Sequence, residues 1–383
     1  MRLFLIAGEP SGDRLGAALM AGLRLLAPGA EFHGIGGPLM QAEGLVSLFP
    51  MEELTVMGLA EVVPRYPALR RRMIEAATAV GRVAPEALIT IDSPDFCLRV
   101  AARARAAWPG LRTIHYVAPS VWAWRPGRAA KMARVIDHVL ALLPFEPPYM
   151  IEAGMSCDFV GHPVVAEPLA TETEVARLAA GGTGQGPVIL ALPGSRKGEV
   201  SRLCPVIGQT LALVKLAHPG ARVVVPTVRG VAPMVRDLVQ GWPIVPQTIE
   251  EPGLKRAAFA AADVAIAASG TVSLELAANS CPMVIAYDMH PLTLWLMRRA
   301  ARVDTVTLVN LVAGSRTVPE FIGERCRADL IAPAVLDLLR PGSATDAAQR
   351  TAMATTMLRL GRGGEAPGVR AARSVLAALA RKG

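Results

Sequence analysis

Short apolar runs alternate along the chain with stretches whose apolar positions recur at helical spacing. In the first half, Leu3–Ala7, Ala87–Ile91, Thr113–Val117 and His138–Leu142 read as strands, each only a few residues long and bounded by turn residues. Between them Gly12–Leu26 and Ser93–Ala107 carry helical periodicity. Strand, turn and helix in repetition predict right-handed βαβ units and a parallel sheet. The pattern breaks at Gly161-His162-Pro163 and in the Gly-rich run Ala180–Pro187. It restarts with Val188–Leu192, Arg222–Pro226, Val264–Ala268 and Met283–Tyr287 as strands. Two successive sets of βαβ units imply an α/β chain with two Rossmann-like lobes, their parallel sheets facing a cleft. The expected lobes are residues 1–165 and 166–345. From Ala347 the chain reads as helical, broken across Gly361–Gly368, and ends in a basic amphipathic segment. Residues 346–383 are therefore expected to form a tail that packs back on the first lobe.

The 383 residues exceed what one core usually supports, which agrees with two domains. Apolar residues make up 52% and aromatics 4%, so the core must be aliphatic, as buried parallel strands require. Forty basic against thirty-two acidic residues leave a net charge of +8. That excess favours a phosphorylated substrate, an anionic membrane surface or nucleic acid. No RNA- or DNA-binding motif is present, so nucleic acid is not expected. The five cysteines form no Cys-x-x-Cys pair, which suggests neither zinc nor disulfides and fits a reducing cytoplasm. The N-terminal apolar run is too short for a signal peptide and reads as a first strand. No stretch offers the roughly 18 uninterrupted apolar residues of a spanning helix. Leu54–Met73 instead joins apolar residues to Arg70-Arg71-Arg72, the composition of a segment resting on an anionic leaflet. A buried helix ending in a solvated charge run has the same composition.

Candidate chemistry lies at strand ends. Gly8-Glu9-Pro10-Ser11-Gly12-Asp13 follows the first strand, where a tight turn opens a helix and ligands usually bind. Ser11 or Asp13 is expected to cap that helix. Gly34-Ile35-Gly36-Gly37 lacks the third glycine of a dinucleotide fingerprint. Ile91-Asp92-Ser93-Pro94-Asp95-Phe96 ends a strand in an acid, which makes Asp92 a candidate general base; simple helix-start acids would look alike. No Asp-x-Asp occurs, so neither a metal nor another cofactor is expected. His115-Tyr116-Val117-Ala118-Pro119-Ser120-Val121-Trp122-Ala123-Trp124-Arg125 holds two of the five tryptophans, either a platform for sugar or acyl groups or plain loop packing. In the second half, Pro193-Gly194-Ser195-Arg196 offers free amides and a planar cation suited to a diphosphate. Ser269-Gly270-Thr271 ends another strand, and Glu275 lies about one turn into the next helix.

In order and spacing, GEPSGD, IDSPDF, HYVAPSVWAWR, FVGHP, LPGSR, ASGTVSLE and Leu308–Gly314 resemble the lipid-A-disaccharide synthase family, from Leu3 to about Arg327. The resemblance implies a metal-independent, two-lobe GT-B fold. It also implies a glycosyltransferase that condenses UDP-2,3-diacylglucosamine with 2,3-diacylglucosamine 1-phosphate to a β-1,6-linked disaccharide phosphate and UDP, at the inner face of the inner membrane. It assigns Asp92 as base and Arg196 as diphosphate contact. Ser195, Ser269, Gly270, Thr271, Glu275 and Asn310 would lie at the donor site, with Ser11 and Glu9 across the cleft. Pro10 and Lys197 depart from the commoner pattern without touching an assigned role. Oligomeric state stays open, a homodimer included. The rivals are a peptidoglycan N-acetylglucosaminyl transferase, a UDP-N-acetylglucosamine 2-epimerase, or a non-catalytic basic nucleotide-binding protein of the membrane surface.

Overall fold

Alternation along the first strand puts Phe4 and Ile6 on one face of a sheet and Leu3, Leu5 and Ala7 on the other; both sets are buried. Burial on two faces is what a parallel sheet covered by helices demands of its strands. The computed structural model describes residues 1–54, 59–181 and 185–381. It divides into two units, Met1–Ala166 with Gly363–Gly383, and Glu167–Arg362.

The first unit carries seven strands: β1 (Arg2–Ala7), β2 (Glu31–Ile35), β3 (Val46–Ser47), β4 (Ala87–Ile91), β5 (Arg112–Tyr116), β6 (His138–Ala141) and β7 (Ser156–Phe159). All pair in parallel, in the order β3-β2-β1-β4-β5-β6-β7. Helices Leu59–Val83 and Pro94–Ala107 cover one face, around Met73, Ala76, Val80, Cys97 and Val100. Helix Pro10–Leu26 covers the other, together with Ala371, Ala372, Val375 and Ala378 of the terminal helix Pro367–Ala380. That helix is fixed by polar contacts as well. The buried His138 bonds through Nε2 to Ser374 Oγ at 2.8 Å, and Arg370 donates to the Phe159 carbonyl at 2.8 Å. The expected tail of residues 346–383 is thus divided, since helix Ala344–Arg359 belongs to the second unit.

The second unit carries β8 (Val188–Leu192), β9 (Arg222–Pro226), β10 (Gln247–Ile249), β11 (Val264–Ala267), β12 (Met283–Tyr287) and β13 (Glu320–Ile322). They are again parallel, in the order β10-β9-β8-β11-β12-β13. Helix Lys197–Ala217 has the length and composition of a membrane span. Its apolar stripe, with Val200, Leu203, Ile207, Leu211 and Val214, is instead buried in the core of this unit.

Eight strands match runs read from the sequence to within one residue. β2, β3, β7, β10 and β13 were not anticipated. They are short, mix polar with apolar residues, and all five stand at or next to a sheet edge, where a continuous apolar run is not required. The Gly-rich run overlaps residues outside the described ones, as does part of Leu54–Met73.

Asp13 was expected to cap its own helix, but that helix starts earlier, at Pro10, with Glu9 at its N-cap and no side-chain cap. Asp13 is nearly buried and reaches across to a different segment. It accepts hydrogen bonds from the backbone N–H groups of Gly37 (2.8 Å), Leu39 (3.0 Å) and Met40 (3.0 Å). Those amides open the short helix Pro38–Ala42, whose first turn has few partners of its own. Removing the carboxylate would strand buried donors, each costing about 1–3 kcal/mol. Asp13→Ala is therefore expected to speed hydrogen exchange at Gly37, Leu39 and Met40 far more than at β5 or β12. Unchanged protection at those three amides would show that the clasp contributes nothing.

Candidate functional site

Each sheet contains one place where the chain reverses its direction of winding. In the first unit it lies between β1 and β4, because β1 leads outward to β2 while β4 leads to β5 on the other side. Loops at such a point diverge and leave room at the carboxyl ends of the strands, where ligands of open α/β sheets bind. The residues after β1 and β4 are those singled out from the sequence. Ser11 Oγ donates to Asp92 Oδ2 at 3.3 Å, and Ser93 Oγ donates to Glu9 Oε1 at 2.9 Å. The Ser93 N–H bonds the Asp92 carboxylate at 2.9 Å, and the Asp92 N–H is held by the Tyr116 carbonyl at 3.0 Å. Gly8 allows this closeness, since a Cβ there would stand 2.7 Å from Ser93 Oγ. Glu9, Ser11 and Asp92 are thus one hydrogen-bonded group. Ser93 completes it, and nothing in the sequence distinguished it from an ordinary N-cap.

Asp92 and Ser93 both have left-handed backbone, at φ 53° and 41°; Val117 and Arg125 of the next loop follow at 86° and 50°. Among the described residues only Ala84 and Ser280 are other non-glycine cases. Each such residue costs on the order of 1–3 kcal/mol and persists where surrounding contacts impose it. Here the strain is concentrated in the loops after β4 and β5.

The tryptophan-rich loop is anchored from beneath. Trp122 is buried, its Nε1 donates to Glu146 Oε1 at 3.3 Å, and its ring meets Phe145 edge-on at 5.1 Å. Glu146 Oε2 also accepts from the backbone N–H groups of Leu142 (3.1 Å) and Leu143 (2.9 Å). Burial pushes the Glu146 carboxyl up to about 7, against these bonds. Trp122 is therefore a packing anchor and not an open platform. Trp124 is half-buried under the Arg125 guanidinium, 4.1 Å from its ring centre. His115, paired with Thr90 Oγ1 at 2.7 Å, is driven down to about 4 by burial, so it is a neutral core group at physiological pH.

In the second unit the reversal falls between β8 and β11, with Ala268 N–H bonded to the Leu192 carbonyl at 2.9 Å. The turns that follow carry Ser195 and Arg196 on one side and Ser269, Gly270 and Thr271 on the other. Gly194 (φ 106°) and Gly270 (φ 143°) take backbone shapes that a side chain would strain. Arg196 stands at the N-cap of helix Lys197–Ala217 and its side chain is 70% exposed. Its Nη1 meets Glu199 Oε1 at 3.0 Å, while Glu199 Oε2 accepts from the Ser195 N–H at 3.2 Å. Exposed ion pairs are typically worth only about 0–1 kcal/mol, so an incoming anion can take Arg196 over.

The remaining predicted residues are placed differently. Glu275 is half-buried and paired with Lys255 Nζ at 2.7 Å, a cation that sequence reading did not single out. Asn310 is buried and its amide is engaged with the chain itself: Nδ2 donates to the Val318 carbonyl (2.9 Å) and Thr305 Oγ1 (3.3 Å), and Oδ1 accepts from Val318 N–H (3.1 Å). Glu320 ties down the same loop by accepting from the Val306 and Thr307 N–H groups at 3.0 and 2.8 Å. Asn310 thus shapes the segment that reaches Ser269, whose Oγ lies 3.5 Å from the Val306 carbonyl. Among the described residues no group of three or more His, Cys, Asp or Glu is arranged to hold a metal ion.

The sequence profile of the family described as lipid-A-disaccharide synthetase matches residues 3–366. The chain is 58% identical over 385 residues to a lipid-A-disaccharide synthase of Ruegeria pomeroyi, spanning 98% of this chain and 95% of that one. It is 48% identical to the synthase of Rhodospirillum centenum over 99% of this chain and 95% of that one. Among solved structures it resembles the UDP-GlcNAc 2-epimerase of Neisseria meningitidis bound to UDP-GlcNAc (TM-score 0.66, 11% identity, 100% of both chains). It also resembles a glycosyltransferase of Rickettsia africae (TM-score 0.61, 12% identity, 100% of this chain and 99% of that one). Identities this low speak for the fold alone, the GT-B type of two parallel-sheet α/β units, while the sequence relatives speak for the family. The chain belongs to the lipid-A-disaccharide synthase family, a family of glycosyltransferases.

Proposed function

We propose that this chain joins UDP-2,3-diacylglucosamine to 2,3-diacylglucosamine 1-phosphate through a β-1,6 bond and releases UDP, with Asp92 as the base. The observation that supports this most directly is the Asp92 carboxylate at a strand reversal, hydrogen-bonded to Ser11 and held in a strained loop. In the proposed step, Asp92 takes the proton of the acceptor 6-hydroxyl as that oxygen attacks the anomeric carbon. The bond from that carbon to the diphosphate breaks, and its electron pair leaves with UDP. Ser11 and the Ser93 amide steady the carboxylate, while Glu9 holds Ser93. Arg196 and the amides of the Ser195 and Ser269–Thr271 turns meet the charge on the leaving diphosphate, the kind of preorganised stabilisation that metal-free departure needs. Glu275, with Lys255 beside it, faces the nucleoside end, and Asn310 fixes the loop beneath.

Approach to lipid substrates is assigned to helix Leu59–Val83, at the cytoplasmic face of the membrane. Tyr66, Arg70 and Ile74, spaced by four residues, share one face and are exposed, and Arg71 is exposed beside them. Arg72 is committed elsewhere: it bonds Glu53 at 2.7 Å and Glu75 at 2.8 Å, and stacks 4.5 Å over Phe49. The cationic cluster read from sequence is thereby reduced to Arg70 and Arg71. A cation near an anionic leaflet contributes on the order of 1 kcal/mol and is screened within about 8–10 Å.

Three outcomes are expected. Asp92→Asn should cut turnover by about two to four orders of magnitude, with UDP affinity by calorimetry nearly unchanged; turnover within a few-fold of the parent would remove Asp92 from the role. Activity should be complete in excess EDTA, because Arg196 and backbone amides are assigned the leaving charge; loss of activity rescued by magnesium or manganese would overturn that assignment. In co-sedimentation with anionic vesicles, the Arg70→Ser, Arg71→Ser double variant should bind less than the parent at low salt and keep its UDP affinity. Equal binding would place the membrane contact on another surface.

A further inference from the structure

A cavity of about 540 Å³ opens in the second unit, separate from the Arg196 and Ser269–Thr271 turns. Met289, Leu294, Trp295 and Gly323 line it, together with Asp288, Arg299 and Glu324. Asp288 directly follows β12 and Gly323 directly follows β13, so the cavity sits at the carboxyl ends of these strands. In a parallel sheet that is the same edge at which β8 and β11 present their turns. Adjacent strands lie about 4.8 Å apart, which puts β12 and β13 roughly 5–10 Å beyond the end of β11.

The lining is mainly apolar. Leu294 is buried, yet Trp295 on the same helix, Pro291–Ala300, is 51% exposed. A large aromatic residue left half exposed beside a concave apolar surface suits a ligand that covers it. The charged members of the lining are two acids, Asp288 and Glu324, and one base, Arg299. The Arg299 guanidinium lies 4.1 Å from the Trp295 ring centre, and Asp288 is paired with Arg202 at 3.5 Å. Arg202 stands six residues along the helix that begins after Arg196, about 9 Å by helical rise. The apolar part of the lining complements a hydrocarbon chain. A nucleotide or a free sugar would leave that part uncovered.

We propose that this cavity holds one acyl chain of the sugar-nucleotide donor against Trp295, Met289 and Leu294. The proposal rests on the reading of the chain as a transferase of acylated sugars. It makes this helix a determinant of which acyl chains are accepted, distinct from the groups that handle the diphosphate.

The test uses UDP-2,3-diacylglucosamine donors of increasing chain length with the full-length protein. KM for the donor should fall with chain length in the parent. Trp295→Ala, and Met289→Trp, which fills the cavity, should each raise KM for the long-chain donor about tenfold or more, the worth of two buried methylenes. Both should leave UDP affinity and the short-chain KM unchanged. A second readout is quenching of tryptophan fluorescence by a donor brominated near the chain end, which Trp295→Phe should largely remove. If turnover is normal while chain-length dependence and quenching are the same in all variants, the acyl site is wrong and the transferase reading stands. If no donor is turned over but quenching still requires Trp295, the transferase reading falls and the acyl site stands. Neither turnover nor quenching would overturn both.

Discussion

Parallel pairing of β1 with β4, and of β8 with β11, is the constraint on which both groups of candidate residues depend. Each pair joins strands distant in sequence, and their following segments leave the sheet in opposite directions. Loops that diverge in this way leave room at the carboxyl ends of the strands, where ligands of open α/β sheets bind. The hydrophobic core of each sheet holds the paired ends in register. Ser11 reaches Asp92, and Leu192 meets Ala268, only because Ile6, Ile89, Leu190 and Ile266 are fully buried behind them.

The polar contacts around that frame divide into two kinds. Some are buried and closed: Asp13 on the amides of Gly37, Leu39 and Met40, Glu146 on Trp122 and the Leu142–Leu143 amides, Asn310 and Glu320 on the loop between residues 305 and 318. These fix loops. Others are open and weakly held, such as Arg196 with Glu199 and Glu275 with Lys255. Weak exposed pairing is compatible with exchange for a phosphate or a ribose hydroxyl, because little free energy is lost when the pair opens. The separation fits an enzyme that must hold its loops rigid while releasing and rebinding charged ligands.

The same division bears on the lipid side. Exposed apolar groups on helix Leu59–Val83 and on helix Pro291–Ala300 accompany arginines, yet the two differ in setting. The first presents Tyr66, Arg70 and Ile74 on one exposed face, the surface proposed to meet a leaflet. The second lines a cavity, the one proposed to hold a single acyl chain. Arg72 shows why charge in the sequence does not measure charge available to a membrane: two carboxylates and a phenyl ring already occupy it.

Much of this was legible in the sequence. Buried parallel strands need continuous apolar runs, so β1, β4, β8, β9, β11 and β12 declared themselves, and the turns after four of them named Asp92, Ser11, Arg196 and Ser269–Thr271 as candidates. The family resemblance rested on those turns together with HYVAPSVWAWR, FVGHP and Leu308–Gly314. Tertiary structure decided what depends on distant partners. It turned Asp13 from a cap of its own helix into a clasp on residues 37–40, made Trp122 an anchor over Glu146, closed Asn310 on Val318, and placed the last helix on the first sheet through His138 and Ser374. A short polar side chain has several possible local partners and carries no sequence mark of which distant amide it will meet. That choice is made only when helices pack on the sheet within each unit and bring the segments together.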